Sequence, residues 1–442
     1  MAIKRAVSLF SNCGAGDLGY RNASFRFDVM AELIPRRLEV CLLNHPEADG
    51  IVGDLRDTWP TVISKYRERA GSEELDLLAA CPPCQGMSSA RGDRGLANDP
   101  DAGTKDKRNL LAVVIAEVAK SLLPRLIVVE NVPAFLTKKV RHPLTNEALS
   151  AATLLASLLE SDYAVFAVLL DMCSYGVPQT RKRTFLTFVR KDLPGLDKLL
   201  DTNKSPFPKP SHANDHSGIK PVTLHEALIM LDAPSLDASS VLRARSSIAG
   251  GLHAVPVWKD RMYKMVAAIP EYSGASAWEN SSCEKCGRVE VGKGDLVCPR
   301  CNEVLLRPTI IDENGAPRFI KGFRTSSYRR MRPNQPAATI TTASGHIGSH
   351  FTIHPFENRL FSPLECAYLQ TFPKNFQWGD ALKKWGHTSI RQMIGEAVPP
   401  KFTKLHGDVL VEVLDCTISD KVISYADVRC KTASKKMNPA IL

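Results

Sequence analysis

The chain has 442 residues, a hydrophobic fraction of 44% and a net charge of +10 at pH 7. This length exceeds what one hydrophobic core usually serves, so two domains are expected. No stretch approaches the ~18 consecutive apolar residues of a membrane span, and the apolar run at residues 6–10 is too short for a signal peptide. We therefore expect a cytoplasmic protein without a membrane partner, and its charge favours a polyanion.

The first half alternates short apolar runs with helical stretches, which predicts an α/β fold with a doubly wound, mostly parallel sheet. Strands are predicted at residues 6–10, 27–31, 75–80, 126–129, 165–170 and 184–189, and helices at 109–123 and 148–159. Ligands of such sheets bind beyond the carboxyl ends of the strands. Glu32, Cys84 and Glu130 follow predicted strands, so we expect a site there.

The pattern changes after residue 190, where prolines interrupt the periodicity until about residue 363, and a last helix is predicted at 401–414. We therefore predict that residues 1–190 and 385–430 form the domain that contains the sheet. A second, smaller domain is predicted at residues 191–384. Residues 431–442 are predicted to be a disordered tail.

A glycine-rich segment follows the first predicted strand. Gly14, Gly16 and Gly19 form a G-x-G-x-x-G pattern, and glycines let a ligand approach the backbone closely. Glu32, at the end of the next strand, could bind ribose hydroxyls. Taken alone, this pattern also fits a nicotinamide-dependent oxidoreductase.

Three segments carry residues suited to covalent catalysis on an electron-poor ring. They are Pro82-Pro83-Cys84-Gln85, Glu130-Asn131-Val132 and the run from Gln179 to Arg183, which holds Arg181 and Arg183. A thiolate can attack a ring carbon, a carboxylic acid can protonate the ring nitrogen, and an arginine can hold the ring oxygen. The pair Cys81 and Cys84 also fits a redox or metal-binding C-x-x-C, but that alternative leaves the other two segments unexplained.

The order and the residue sequences of these segments resemble those of the C5-cytosine DNA methyltransferases, which use S-adenosylmethionine. Four further stretches agree: residues 9–14, 332–341, 359–373 and 395–400. The resemblance covers residues 1–190 and about 324–415. It implies a Rossmann-like methyltransferase domain and a target-recognition domain.

The resemblance also implies roles for individual residues. Phe10 would lie against adenine, Glu32 would bind the ribose, and Asp54 would accept from the adenine amino group. The other predicted cofactor residues are Asn12, Gly14, Gly16, Glu396 and Val398. Asn12 replaces the family's usual glycine, and Glu396 stands where many members have asparagine.

The predicted catalytic residues are Cys84, Glu130, Arg181 and Arg183. Cys84 would add to C6 of the cytosine, Glu130 would act on N3, and Arg181 would hold the base carbonyl and phosphate side, with Arg183 nearby. Residues 86–95, rich in glycine and serine, resemble the loop that closes over a flipped base. Gln85 and Ser88 are therefore predicted DNA contacts.

Two C-x-x-C pairs lie inside the predicted recognition domain. Cys283 and Cys286 are separated by eleven residues from Cys298 and Cys301. Two such knuckles around a glycine-bearing hairpin predict a structural zinc ion in a zinc ribbon. The alternative is four buried free cysteines. This site is not part of the general family pattern.

A basic stretch runs from residue 318 to 332, with six basic residues, no acidic ones and three aromatic residues. Arginine suits phosphates and aromatic rings suit stacking, although a solvated loop has the same composition. Arg324, Arg329, Arg330 and Arg332 are the predicted phosphate contacts. Some of them could instead support the domain internally, with Arg332 the first candidate.

These features predict a monomeric DNA (cytosine-5)-methyltransferase that acts on double-stranded DNA, with a restriction endonuclease as a separate companion. An RNA cytosine methyltransferase remains an alternative within the enzyme class. A non-catalytic nucleic-acid-binding module on the same fold is the alternative outside it.

Overall fold

The computed structural model describes residues 3–83, 111–142, 145–213, 218–426 and 428. Its strands are β1 (Lys4–Leu9), β2 (Phe25–Glu32), β3 (Asp49–Val52), β4 (Leu77–Ala80), β5 (Leu126–Asn131), β6 (Lys139–Arg141), β7 (Ala148–Ser150), β8 (Tyr163–Asp171), β9 (Lys182–Arg190), β10 (Lys204–Pro208), β11 (Ser282–Cys283), β12 (Gly287–Arg288), β13 (Thr309–Ile311), β14 (Pro317–Phe319) and β15 (Val422–Ser424). Its helices are α1 (Ala15–Asn22), α2 (Pro35–Asn44), α3 (Leu55–Ala70), α4 (Leu111–Leu122), α5 (Ala151–Leu159), α6 (Pro194–Asp201), α7 (Leu224–Leu231), α8 (Asp260–Ala267), α9 (Pro363–Leu369), α10 (Ala381–Glu396) and α11 (Pro400–Leu414).

A seven-stranded sheet in the order β3-β2-β1-β4-β5-β9-β8 forms the centre of the predicted first domain. The strands from β3 to β5 are parallel, whereas β9 is antiparallel to both of its neighbours. The α/β sheet and its predicted strands are therefore confirmed. The sequence did not show that the last two strands form an antiparallel edge.

Both faces of the sheet are covered, because side chains alternate between them along each strand. Ala6 of β1 faces a core that contains helix α11, and Val7 faces a second core that contains α3, α4 and α5. The result is a three-layer arrangement of helices, sheet and helices. The predicted helix at 148–159 begins at Ala151, since residues 148–150 pair with β6 instead.

Helix α11 returns from the far end of the chain and packs on α1. A side chain at Gly19 would place its Cβ 1.9 Å from Thr403 Oγ1 and 2.3 Å from the carbonyl oxygen of Pro400. Only glycine allows so close an approach. The predicted last helix at 401–414 is therefore confirmed, and it completes the layer over the first strands.

The region from residue 209 to 362 has little regular structure among its described residues. Its core gathers Met265 and Val266 of α8 with Leu306, Tyr328 and Ile353. The predicted domain boundary at residues 384 and 385 falls inside α10, beside Gly386, whose φ of +71° interrupts the helix. The predicted tail lies outside the described residues. Within the described ranges, no helix combines the length and apolar content needed to cross a membrane.

Candidate active site

A cavity of about 330 Å³ opens at the carboxyl ends of β1, β2, β4 and β5. This size suits a small-molecule ligand. Of the residues predicted from the sequence, the cavity lining contains Phe10, Asn12, Gly16, Glu32, Asp54, Glu130, Glu396 and Val398. The fold thus brings one predicted catalytic group and most of the predicted cofactor residues to one place.

The turn between β1 and α1 forms one wall of the cavity. Phe10 and Asn12 have φ values of +60° and +51°, so the backbone is left-handed at both. Asparagine tolerates this conformation better than most residues, which explains how Asn12 can replace a glycine. The Nδ2 of Asn12 donates to the carbonyl oxygen of Met393 at 2.9 Å and ties the turn to α10.

Gly14 and Gly16 serve different purposes in this turn. Gly14 (φ +73°) packs against His45, which hydrogen-bonds its carbonyl oxygen at 2.8 Å, and a Cβ there would lie 2.7 Å from the imidazole ring. Gly16 faces the cavity, where a Cβ would lie 3.2 Å from Val398 Cβ. Gly14 is therefore required by packing, and Gly16 keeps the cavity open.

Two carboxylates lie along the cavity wall. Glu32 accepts hydrogen bonds from the backbone N–H groups of Asn12 at 2.9 Å and Ile34 at 3.0 Å. Burial nevertheless raises the pKa of Glu32. Asp54 caps α3 and pairs with Arg56 at 2.5 Å, and hydrogen bonds from Arg56 hold the pKa of Asp54 below its usual value.

Glu130 lies at the carboxyl end of β5, directly opposite Phe185 of β9, and its side chain is buried. Its Oε1 lies 3.0 Å from Nε of Arg183. Burial raises the pKa of Glu130, while Arg183 and Arg181 act in the opposite direction. A buried carboxyl with a raised pKa suits general acid catalysis.

Asn131 connects this strand to the loop that carries the predicted nucleophile. Its Nδ2 donates to the carbonyl oxygen of Pro82 at 3.0 Å, and its Oδ1 accepts from the N–H of Val132 at 2.8 Å. Pro83 lines the cavity beside Glu130. The predicted residues Cys84, Gln85 and Ser88 follow at once, but they lie outside the described residues.

Arg181 and Arg183 have different environments. The guanidinium of Arg181 is fully buried and donates to the carbonyl oxygens of Ile340 at 3.1 Å, Gly395 at 3.0 Å and Ala397 at 3.0 Å. Arg181 therefore connects three segments of the chain, and this placement does not fit the predicted contact with a base. Arg183 is the arginine beside Glu130.

Two glutamines extend this connection, and neither was assigned a role from the sequence. Gln179 donates to the carbonyl oxygen of Leu369 at 3.0 Å and accepts from the N–H of Ile340 at 2.9 Å. Gln370 hydrogen-bonds Gln179 and donates to the carbonyl oxygen of Ala397 at 2.8 Å. Both glutamines lie in segments that carry the family resemblance, residues 179–183 and 359–373.

Arg37 is a further cavity residue that the sequence analysis missed. It lies in the first turn of α2, and its Nη1 donates to Oε2 of Glu396 at 2.6 Å. The 359 positions that separate Arg37 from Glu396 in the sequence leave no local signal of this contact. The predicted cofactor residue Glu396 is thus half of an ion pair.

The predicted DNA-contacting arginines fall into three environments. Arg324 and Arg332 are exposed, and Arg329 is half-buried with a hydrogen bond to the carbonyl oxygen of Gly274 at 2.8 Å. Arg330 is fully buried. The prediction that Arg330 contacts phosphates is therefore wrong, because its side chain cannot reach the surface.

Five acceptors surround the guanidinium of Arg330 within 3.2 Å: the carbonyl oxygens of Val266, Ile269, His354 and Glu357 and the Oδ1 of Asn358. Burial lowers its pKa to about 10. Arg330 is thus the internal support of this region, a role that the sequence analysis had assigned first to Arg332.

The four cysteines of the two C-x-x-C pairs lie together. Their sulfur atoms are all within 4.8 Å of one another, and those of Cys283 and Cys301 are 3.5 Å apart. Zn–S bonds of ~2.3 Å place tetrahedral sulfurs ~3.8 Å apart, so this spacing fits one metal ion. Although burial raises the pKa of Cys298, hydrogen bonds from the backbone N–H groups of Arg300 and Cys301 outweigh it and lower the pKa to about 7.

A doubly wound sheet with a ligand cavity at its carboxyl edge, walled by a glycine-rich turn and a buried acid, defines an α/β enzyme that uses a small-molecule cofactor. The family can also be named. Residues 4–411 match the model of the C-5 cytosine-specific DNA methylase family, so the chain belongs to that family.

Individual relatives agree with this assignment. The type II methyltransferase M1.HgaI of Avibacterium volantium is 27% identical over 408 residues, which cover 89% of this chain and 94% of the relative. The type II methyltransferase M.DdeI of Desulfomicrobium norvegicum is 26% identical, with 89% and 85% covered. The fold resembles that of the Entamoeba histolytica methyltransferase EhMeth, with a TM-score of 0.52, 13% identity, and 95% and 100% of the two chains covered.

Proposed function

We propose that the protein transfers a methyl group from S-adenosylmethionine to C5 of a cytosine that is rotated out of double-stranded DNA. Membership of the family supports DNA cytosine methylation in general. The observation that carries the finer proposal is Glu130 in the cavity wall, 3.0 Å from Arg183, with Pro83 in the same wall directly before Cys84 in the sequence.

The cavity residues fit the cofactor. Gly16 leaves room that a Cβ would fill, and the buried oxygens of Glu32 stand beside the left-handed turn at Asn12. Phe10 and Asp54 would bind the adenine, and Glu32 would bind the ribose. Val398 would form the part of the cavity wall that lies opposite Gly16. When bound, the cofactor supplies an electrophilic methyl group on a sulfonium.

The chain's own residues prepare the base for that methyl group. The thiolate of Cys84 adds to C6 of the cytosine while Glu130 gives a proton to N3, so that C5 gains the electron density of an enamine. Arg183 holds Glu130 and the O2 side of the ring. After methylation, a water molecule acting as base takes the C5 proton, Cys84 leaves C6 as a thiolate, and N3 returns its proton to Glu130, which restores the aromatic ring.

The target cytosine lies inside a duplex, and rotating it out costs a few kcal/mol. Gln85 and Ser88, which follow Cys84 in the sequence, would enter the vacated space. Arg324 and Arg332 would hold phosphates, with Arg329 as a weaker candidate. Because the relatives are named as type II methyltransferases, a restriction endonuclease of the same specificity is the proposed companion.

DNA that contains 5-fluorocytosine tests the nucleophile, because fluorine at C5 blocks the elimination step. A stable adduct that depends on S-adenosylmethionine should form on Cys84, and Cys84→Ala should abolish both adduct and turnover. Cys81→Ala is the matched control and should keep the adduct. An adduct on Cys81 would contradict the assignment. Methyl transfer to RNA but not to duplex DNA would refute the substrate.

We also propose that the four cysteines hold one structural zinc ion. Four thiolates complete a tetrahedral shell and leave no open position. Purified protein should contain about one zinc per chain by elemental analysis. Cys283→Ser with Cys286→Ser should lose the metal and DNA selectivity but keep cofactor binding, since metal binding and folding are coupled in such modules. Wild-type protein without zinc would refute this site.

A further inference from the structure

The ion pair between Arg37 and Glu396 joins two distant parts of the chain at the cofactor cavity. Arg37 belongs to the first turn of α2 and Glu396 is the last residue of α10. Their side chains are 11% and 35% exposed, and both line the cavity that Glu32 also lines. The pair therefore lies at the rim of the cavity, with Arg37 largely covered and Glu396 partly exposed.

A second carboxylate lies within the electrostatic reach of this pair. Arg37 lowers the pKa of Glu32, whereas Glu396 raises it, and burial of Glu32 is the largest influence. Two carboxylates thus face one guanidinium at this wall. Without Arg37, the ionised forms of Glu32 and Glu396 would repel each other beside the bound cofactor.

The same two helices carry another ion pair that has no contact with the cavity. Lys384 of α10 pairs with Glu39 of α2 at 2.5 Å, and both side chains are about half exposed, at 46% and 47%. Asn44 and Gln377 add two hydrogen bonds of 2.9 Å between α2 and the segment before α10. The two helices are therefore held together without Arg37, so joining them does not explain the pair between Arg37 and Glu396.

We propose that Arg37 is a positioning residue for the cofactor, which compensates the charge of Glu396 and thereby keeps Glu32 aimed at the ribose. This inference rests on the proposed function. It also explains how the chain accommodates a glutamate at position 396, where the resembled family often has asparagine. In this chain the additional negative charge has its own counter-charge at 2.6 Å.

The proposal predicts an unusual pattern of suppression. Loss of an opposite charge shifts a nearby carboxyl by ~1–3 pKa units, and partial exposure of Glu396 reduces the effect. We therefore expect Arg37→Ala to weaken binding of S-adenosylmethionine and S-adenosylhomocysteine by about tenfold. Glu396→Asn in the Arg37→Ala background should recover most of that loss, because it removes the repelling charge.

Isothermal titration of both compounds into the purified full-length variants measures these affinities. Lys384→Ala is the matched control, since it breaks the exposed pair between the same helices and should leave both affinities unchanged. In turnover assays, Arg37→Ala should raise KM for S-adenosylmethionine, while kcat at saturation stays within about twofold. If Arg37→Ala fails to fold in thermal melts, Arg37→Gln replaces it, and Arg37→Lys should retain wild-type affinity.

Three results would overturn the inference: wild-type affinity in Arg37→Ala, no recovery in the double variant, or an equal loss in Lys384→Ala. Wild-type protein that binds neither compound would instead contradict the proposed function. A loss of kcat without a change in affinity would place Arg37 in the chemical step and would also contradict a positioning role.

Discussion

The part of the chain that forms the seven-stranded sheet, here the proposed catalytic half, and residues 209–362, the proposed recognition region, are held together in different ways. In the catalytic half, a seven-stranded hydrogen-bonded sheet fixes where Glu32 and Glu130 emerge. In the recognition region, buried polar side chains bind backbone carbonyls: Arg330 reaches four, and Arg307 joins the carbonyl of Asn280 to those of the loop between the two cysteine pairs. The hydrogen-bonded strands therefore hold the structure of the first region together, and buried arginine side chains hold the loops of the second region together.

Arginines that are close in sequence illustrate this contrast in both regions. Arg181 and Arg330 are buried and bind carbonyl oxygens, whereas Arg183 contacts Glu130, the proposed catalytic acid, and Arg332 is exposed. Arginine therefore has a structural and a functional use in each region. Substitutions that separate the two uses should also separate loss of stability from loss of activity.

The largest expected effect is on the chemical step in the catalytic half. Glu130→Gln keeps the size of the side chain but cannot give a proton to N3. General acid catalysis typically raises a reaction rate by ~10²–10⁴-fold. We expect kcat to fall by that order while affinity for S-adenosylmethionine and the melting temperature change little. Single-turnover methyl transfer measures the rate. Near-wild-type turnover would mean that another group protonates the base.

Next in size is the loss of a buried support in the recognition region. Arg330→Ala would leave several buried acceptors without a donor, each worth ~1–3 kcal/mol, so we expect unfolding to become easier by about 3–5 kcal/mol. Arg329→Ala, at the neighbouring half-buried position, should cost about 1 kcal/mol. Urea unfolding monitored by tryptophan fluorescence compares the two. Equal losses would contradict the distinction between them.

A third prediction concerns acid stability. Arg359 binds Glu365 through two hydrogen bonds of 2.7 Å, and despite burial this pairing lowers the pKa of Glu365 to about 2, with Glu357 and His354 nearby. A depressed carboxyl stabilises the fold above its ordinary pKa, near 4.5, and this contribution of roughly 3 kcal/mol is lost as the pH falls towards 2.

Equilibrium unfolding between pH 6 and 2 tests this contribution. Glu365→Gln should be less stable at pH 6, and its stability should change less with pH below 4.5. A variant that keeps the full pH dependence of the wild type would assign the acid sensitivity to other carboxyls.

The smallest expected effects are on DNA binding. Arg324→Ala and Arg332→Ala should each weaken binding to target and non-target duplexes alike and reduce the salt slope by about one phosphate contact. Lys198→Ala, an exposed charge on α6, is the control and should change neither. Loss of target preference at an unchanged salt slope would mean that these arginines contact bases.

The sequence predicted the sheet well because strand ends and side-chain alternation are local properties. Glu32 and Glu130 follow apolar runs, and β2 and β5 end within two residues of the ends of these runs. The antiparallel direction of β9 was not predicted, since buried strands look alike in either direction. The short strand β3 was missed because Asp49 and Gly50 form half of it.

The sequence could not distinguish the environments of clustered arginines. Nothing local separates Arg330 from Arg329, and only the tertiary fold brings the carbonyl oxygens of Val266 and Ile269 to one of them. The contact of Arg37 with Glu396 spans 359 positions and likewise has no local signal. The cysteine cluster was predictable because metal ligands follow a spacing rule.

The return of α11 to α1 has a consequence for synthesis on the ribosome. Thr403 donates to the carbonyl oxygen of Gly16 at 2.6 Å, so a wall of the cofactor cavity depends on residues translated almost 400 positions later. The sheet strands emerge first, but the cavity can close only when nearly the whole chain has been made. Nascent chains that stop before residue 400 should therefore fail to retain the cofactor.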